Sequence, residues 1–216
     1  MHFYGKFSSE DNRCLIIDGE LHSFAPAGLT EYKIPNYVTS IGAEAFRGNK
    51  KLLRVTIPIG VISIGDWAFM DCVSLTDVII PNNVTQIAEK AFNGCTSLTN
   101  ITIPDKVLSI GDYAFCSCRK LTSITIGNNV ASIGNGVFCY CRYLTSIYCK
   151  ATTPPMIGTG SFGKKSGLKI YVPKSEGSTV LKGYKSAIAD CYSNGYSAPS
   201  WEYYDGIIEE YDFNNE

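Results

Sequence analysis

Phe46, Phe69, Phe92, Phe115 and Phe138 stand 23 residues apart. A spacing this strict over five rows restricts the chain to a stack of near-identical coils, each packed on its neighbours and not on a common centre. In rows of 23 other columns fall into line: Val61, Val84, Val107 and Val130; Ile41, Ile64, Ile87, Ile110 and Ile133; Leu52, Leu75, Leu98, Leu121 and Leu144. Pro35, Pro58, Pro81 and Pro104 close successive rows, and Gly127 takes that place once.

Within a row, Leu75, Val78 and Ile80 alternate with Thr76, Asp77 and Ile79 as in a strand with one face buried. The Leu-x-x-Leu-x-Leu spacing is that of a leucine-rich-repeat strand. Pro81 lacks the donor a ladder needs, so it ends the strand and turns the chain. Past Asn82 and Asn83, a second short apolar stretch at 84–87 predicts an outer strand. The run 89–95, anchored by Ala91 and Phe92, then predicts a helical or irregular turn. Seven rungs of one main parallel sheet are expected, near Leu29, Leu52, Leu75, Leu98, Leu121, Leu144 and Leu168. A single coil buries too little apolar surface to offset the ordering of its backbone, so stability belongs to the stack.

Rows such as 98–118, where Leu, Ile, Pro, Val, Ile-Gly, Ala-Phe and Cys recur in register, resemble the BspA-like class of leucine-rich repeats. The resemblance covers roughly residues 29–173. It implies a leucine-rich-repeat solenoid of 23-residue coils with one main parallel sheet, short outer strands and helical turns, an α/β repeat fold. It also implies a surface protein, since members of the class are associated with attachment to host matrix proteins and other cells. Departures are few: Asn49 where later rows have Cys, Ala88 for Gly, and Gly136-Val137 for the usual acidic-Ala pair.

The ends read as caps on one structural domain. In 1–28, two apolar runs flank Asp18-Gly19, a hairpin signal suited to closing an open edge. The solenoid spans 29–173, with an irregular last coil where Leu144 and Leu168 are 24 apart and the intervening residues include Pro154, Pro155, Gly158, Gly160 and Gly163. In 174–216, a short helix is expected over 184–192, and the acidic, Tyr-rich tail is expected to pack back through Trp201, Ile207 and Phe213.

A net charge of −1 with scattered Lys and Arg offers no basic stripe for nucleic acid. No apolar run is long enough to span a membrane, and the first residues do not read as an export signal. The nine cysteines include a column, Cys72, Cys95, Cys118 and Cys141, headed by Asn49, which reads as a site for a small buried side chain. Adjacent coils lie close enough for a disulfide. Directly stacked parallel residues, however, are expected to hold their Cβ atoms too far apart, so free thiols are expected. Cys116 and Cys139 make Cys-x-Cys pairs with that column, but residues two apart do not share a face of a helical turn, which disfavours a zinc tetrahedron.

Catalytic groups do not converge. The histidines, His2 and His22, both lie in the N-terminal cap, and the acids Asp66, Glu89 and Asp112 share a column with Glu44 and Asn135 as on a solvated turn. Three glycines at 158–163 lack the strand and helix of a phosphate loop. The chain therefore reads as non-enzymatic, without cofactor or metal.

What remains is the outward face of the main strands. Its columns run Glu31, Arg54, Asp77, Asn100, Ser123, Ser146 and Lys33, Thr56, Ile79, Thr102, Thr125, Tyr148, Tyr171. Small polar residues there suit a strand for its own sake. Ile79, Tyr148 and Tyr171 are large groups of the kind enriched in contacts. Arg54, Asp77, Ile79, Asn100, Tyr148 and Tyr171 are the candidate partner-binding residues. The partner expected from the resemblance is a protein, with host matrix or cell-surface proteins foremost, and the location extracellular or cell-surface. Glycan binding, hinted at by Tyr148, Tyr171 and Trp201, and a structural spacer of a larger surface protein are the alternatives.

Overall fold

The computed structural model describes residue 9 and residues 11–163, 167–193 and 208–213. His2, Trp201 and Ile207 lie outside these residues. The chain opens with a hairpin, β1 (Cys14–Ile17) and β2 (Glu20–Phe24), followed by alternating pairs of a main and an outer strand. They are β3 (Glu31–Lys33) and β4 (Ser40–Ile41); β5 (Arg54–Thr56) and β6 (Ser63–Ile64); β7 (Asp77–Ile79) and β8 (Gln86–Ile87); β9 (Asn100–Ile103) and β10 (Ser109–Ile110); β11 (Ser123–Ile126) and β12 (Ser132–Ile133); and β13 (Ser146–Cys149) and β14 (Met156–Ile157). Then come β15 (Lys169–Pro173), a single 3-10 turn, helix α1 (Thr179–Ser193) and β16 (Ile208–Tyr211).

The outer strands form one continuous sheet, β1-β2-β4-β6-β8-β10-β12-β14, parallel throughout except for the hairpin. The main strands form two sheets, β3-β5-β7 and β9-β11-β13-β15-β16, in 23-residue register up to β15. All seven expected rungs are present, and β16 adds an eighth, parallel to β15. The period could not announce it, because β16 arrives from the tail and not from another coil. The division between β7 and β9 was not expected either.

In the hairpin Asp18 and Gly19 both have positive φ, the conformation a two-residue turn between right-twisted strands requires. The hairpin closes the outer sheet, by pairing β2 with β4, and not the main one. α1 begins five residues before the expected 184, and its Tyr184 hydroxyl donates to the Ala151 carbonyl at 3.0 Å, fixing it to the irregular coil.

The core is one file of apolar side chains along the solenoid. Phe46, Phe69, Phe92, Phe115, Phe138 and Phe162 are buried and stacked, with centroid separations of 4.8 Å at the N-terminal end and 6.1 Å at the C-terminal end. Such close stacking leaves little room between coils on the outer side. At Gly111 a Cβ would sit 2.6 Å from the carbonyl carbon of Ala88, which accounts for the Ile-Gly column.

The outer turns correct the helical expectation. Each is a chain of hydrogen-bonded turns with left-handed residues in two columns: Glu44, Trp67, Lys90, Tyr113 and Gly136, and Gly48, Asp71, Gly94, Ser117 and Tyr140. A left-handed residue interrupts right-handed helix propagation. Its N–H and C=O are available to the adjacent coil instead, as in Lys90 N–H to Asp112 O at 2.9 Å and Gly94 N–H to Cys116 O at 2.9 Å. Most residues in these columns are not glycine, so composition did not reveal them.

Candidate functional site

The structure assigns most of the polar and sulfur columns to holding the stack together. Each column cysteine donates to the carbonyl of the phenylalanine one coil before: Cys72 to Phe46, Cys95 to Phe69, Cys118 to Phe92 and Cys141 to Phe115, at 3.0 to 3.2 Å. Asn49 heads the column because its Nδ2 donates to Phe46 O at 2.7 Å. The position requires a small buried donor, a stricter demand than the small side chain the sequence suggested. Burial pushes the Cys72 thiol up to about 12 and raises the fully enclosed Cys95 and Cys118 thiols well above the ordinary range. None of the four takes part in a disulfide.

Cys116 and Cys139 form a disulfide, which corrects the expectation that stacked cysteines stay apart. They lie in outer turns and not in strands, and there the Cα atoms are 4.7 Å apart, within the bridging range. The four sulfurs of the two Cys-x-Cys pairs are thus divided between one disulfide in the outer turns and two core hydrogen bonds. Among the described residues no cluster of His, Cys, Asp and Glu could hold a metal.

The acid column likewise has structural work. Asp66 Oδ1 accepts the Glu89 backbone N–H at 3.0 Å, and Asp112 accepts from Asn135 through both N–H, at 2.7 Å, and Nδ2, at 3.0 Å. Lys90 sits between the Trp67 and Tyr113 rings, 5.8 and 5.6 Å from their centroids, and pairs with Glu89. These are ties between coils, not a converging catalytic set. Helix α1 is neither long nor apolar enough to cross a membrane, and no other described helix approaches that length.

On the main face, Arg54 stands between Glu31, at 3.1 Å, and Asp77, at 3.4 Å, so two of the candidate residues are paired across the first three rungs. Asn100 is exposed, with Nδ2 3.4 Å from Thr99 Oγ1 of its own rung. Ile79 is 75% exposed, the largest exposure of any aliphatic residue on this face. Thr76, Thr122 and Thr145 each turn their hydroxyl to the carbonyl one rung before, a reason for threonine on this face independent of any ligand.

Tyr148 and Tyr171 are one rung apart and stacked at 4.8 Å, as the register requires, but they are half-buried and not open. Tyr211 packs edge-on against both, and Phe213 edge-on against Tyr148, so the tail covers part of the pair. Lys169 on β15, opposite Glu209 at 2.8 Å, ties that rung to β16, and that hydrogen bond raises its pKa. Beside the aromatic cluster lies a cavity of about 210 Å³ bordered by Asn128, Lys150, Lys174, Tyr211, Asp212 and Phe213. The tail residues Tyr211 and Phe213 complete this cluster, and no period in the sequence placed them there.

A cavity of about 360 Å³ at the opposite end is lined by Ser9, Asp11, Tyr32, Lys33 and Tyr37, among others. Its Ser9, Asp11 and Tyr32 side chains are bonded together. Cys14 Sγ donates to the Tyr32 hydroxyl at 3.2 Å, which donates to Asp11 at 3.5 Å, and Ser9 Oγ donates to Asp11. Against the opposing effect of desolvation, the Ser9 bond and Arg13 hold the Asp11 carboxyl below its ordinary value.

Comparison with known proteins agrees with this architecture. A family model of the BspA type leucine rich repeat region matches residues 20–145 and 63–193, with six copies. Similar solved structures include the pneumococcal vaccine antigen PcpA, at 24% identity and a TM-score of 0.62, over 81% of this chain and 46% of that one. A leucine-rich cell surface protein from Faecalibacterium prausnitzii A2-165 shares 32% identity with a TM-score of 0.56, over 66% of this chain and 36% of that one. The leucine-rich repeat protein of T. pallidum shares 22% identity with a TM-score of 0.62, over 89% and 95%. At their level of identity the first and third speak to fold alone, and this chain spans less than half the length of the first two. No curated protein matches it. With the family match extending over 20–193, the chain belongs to the BspA-type leucine-rich-repeat family.

Proposed function

We propose that the chain is a non-enzymatic recognition module, extracellular or on a cell surface, that holds a protein partner through the outward face of its main strands. Arg54, Asp77, Ile79, Asn100, Tyr148 and Tyr171 are the residues assigned to that contact. The observation that carries the reading is Ile79, an aliphatic side chain three-quarters exposed amid Thr, Asn and ion-paired groups on an otherwise polar face. An apolar anchor within a polar surround is the pattern of a contact hot spot. The Cys116–Cys139 disulfide supports a location outside a reducing cytosol, and the Faecalibacterium relative is itself named a cell surface protein.

The test is binding of the intact chain to a panel of purified extracellular-matrix proteins, with Ile79→Thr as the probing variant. Loss of one hot-spot contact, roughly 1.4 kcal/mol, weakens the captured complex about tenfold. Unchanged affinity of that complex after Ile79→Thr would remove the main face from the reading.

A second reading, glycan binding, rests on the aromatic cluster of Tyr148, Tyr171, Tyr211 and Phe213 and the polar-rimmed cavity beside it. Aromatic edges and faces suit sugar C–H groups, and Asn128, Lys150 and Lys174 supply donors. On a glycan array this reading expects signals lost with Phe213→Ser and kept with Ile79→Thr, the reverse of the protein-binding outcome.

A further inference from the structure

We propose that the solenoid is two stacked blocks joined by a hinge, and that the main face opens and closes between the third and fourth rungs. The inference does not depend on the identity of any partner. At the start of each rung one backbone bond recurs: Leu53 N–H to Thr30 O at 2.6 Å, Thr76 to Leu53 at 3.0 Å, Thr122 to Thr99 at 2.8 Å, Thr145 to Thr122 at 2.9 Å and Lys169 to Thr145 at 2.8 Å. The series lacks one member, Thr99 N–H to Thr76 O. Among the described residues no hydrogen bond of backbone or side chain joins 76–80 to 99–103, and the ladder resumes on either side. The threonine hydroxyls repeat the pattern. Thr76, Thr122 and Thr145 bond to the preceding rung, and Thr99 does not.

A slot of about 230 Å³ occupies the gap, with Asp77, Ile79, Asn82, Asn100 and Thr102 along its walls. The inward residues flanking it, Val78 and Ile101, are 6% and 4% exposed, against 2% for Val55 and 1% for Ile124 in the rungs beyond. Two side-chain bonds join the coils at either end of the slot, Thr96 Oγ1 to Val73 O at 3.1 Å and Lys106 Nζ to Asn83 Oδ1 at 2.8 Å, and further ties reinforce each block. Arg54 gathers Glu31 and Asp77 over the first three rungs, and the tyrosine stack with Lys169–Glu209 binds the last ones.

The outer side of these two coils stays closed and serves as the pivot. Gln86 and Ile87 pair with Ser109 and Ile110, and Leu108 and Gly111 N–H groups bond to Thr85 and Ile87 at 2.8 Å. Phe92 and Phe115 stack 5.3 Å apart with nearly parallel rings. A continuous ladder resists bending at every rung, whereas an interrupted one concentrates the motion where no ladder bond between main strands must break. Local opening then costs less there than elsewhere in the stack. The face carrying Arg54, Asp77 and Ile79 is thereby able to change its angle to the face carrying Asn100 and Tyr148.

The test is amide hydrogen exchange of the full chain followed residue by residue by NMR, with cross-strand nuclear Overhauser contacts read from the same sample. Thr99 is expected to exchange at least ~10-fold faster than Thr76, Thr122 and Thr145. Contacts between adjacent rungs are expected for 53/76 and 99/122 and missing for 76/99. Protection of Thr99 equal to that of Thr122, or a 76/99 contact as strong as its neighbours, would overturn the proposal.

Discussion

Replacing Phe92 by Ala tests whether the stacked phenylalanine file is what couples the coils. The ring is fully buried, 5.1 Å from Phe69 and 5.3 Å from Phe115, and within 5° of parallel to each. Truncating a buried Phe costs ~3 to 5 kcal/mol, and losing two close ring pairs at once places this site at the upper end, about 4 to 5 kcal/mol. For a chain of 216 residues the unfolding entropy of ~2.1 cal/mol/K per residue turns this into a fall in Tm of roughly 10 °C. The Phe92 carbonyl still accepts from Cys118, so the loss is one of packing and not of backbone bonding. Phe138 supplies the control. It is equally buried, but its neighbours lie 6.1 Å away on both sides, so Phe138→Ala is expected to cost less. Thermal and urea unfolding followed by circular dichroism measure both. A Phe92→Ala midpoint indistinguishable from wild type, or a larger loss at Phe138 than at Phe92, would refute the reasoning.

Peptide mapping without reduction is expected to recover Cys116 joined to Cys139, while Cys72, Cys95, Cys118 and Cys141 take up an alkylating reagent only after unfolding; labelling of the column in the native chain would contradict its burial. Alkaline conditions are expected to destabilise the fold. Unfolded thiols ionise near pH ~8.5, but burial keeps Cys72 and Cys149 protonated to about 12. The unfolded state therefore holds fewer protons over that interval and stability falls as pH rises through it, the contribution being fully present below it; a flat urea midpoint from pH 8 to 11 would contradict this. Asp112→Ala removes two bonds to Asn135 on an exposed turn and is expected to cost about 1 kcal/mol by urea denaturation. Tyr148→Ser is expected to loosen the tail, read as faster hydrogen exchange at Ile208–Tyr211, because Tyr211 and Phe213 lean on that ring.

The period of 23 was enough to derive the coil, the strand positions and the buried faces, because a repeated side chain must meet its copies in the next coil. The columns that hold coils together were visible as columns but not as bonds. A buried cysteine donating to a phenylalanine carbonyl 26 residues before it, or an aspartate capping an amide 23 residues on, looks in sequence like a small core residue or a solvated acid. The left-handed turn positions were hidden because Trp67, Lys90 and Tyr113 occupy them as readily as glycine does, once bonds to adjacent coils support the backbone.

The candidate site was the least legible part. Sequence parity placed Ile79, Tyr148 and Tyr171 outward, and the register put the two tyrosines in contact. Only the folded chain decided that Arg54 and Asp77 neutralise each other, and that a tail strand some forty residues on covers the tyrosine pair. Only the folded chain, too, shows that the ladder breaks beside Ile79. Periodicity determines what is common to every coil, since it reports interactions that recur. A disulfide made once, a tail docked once and a bond missing once have no period, so they are decided by tertiary structure alone.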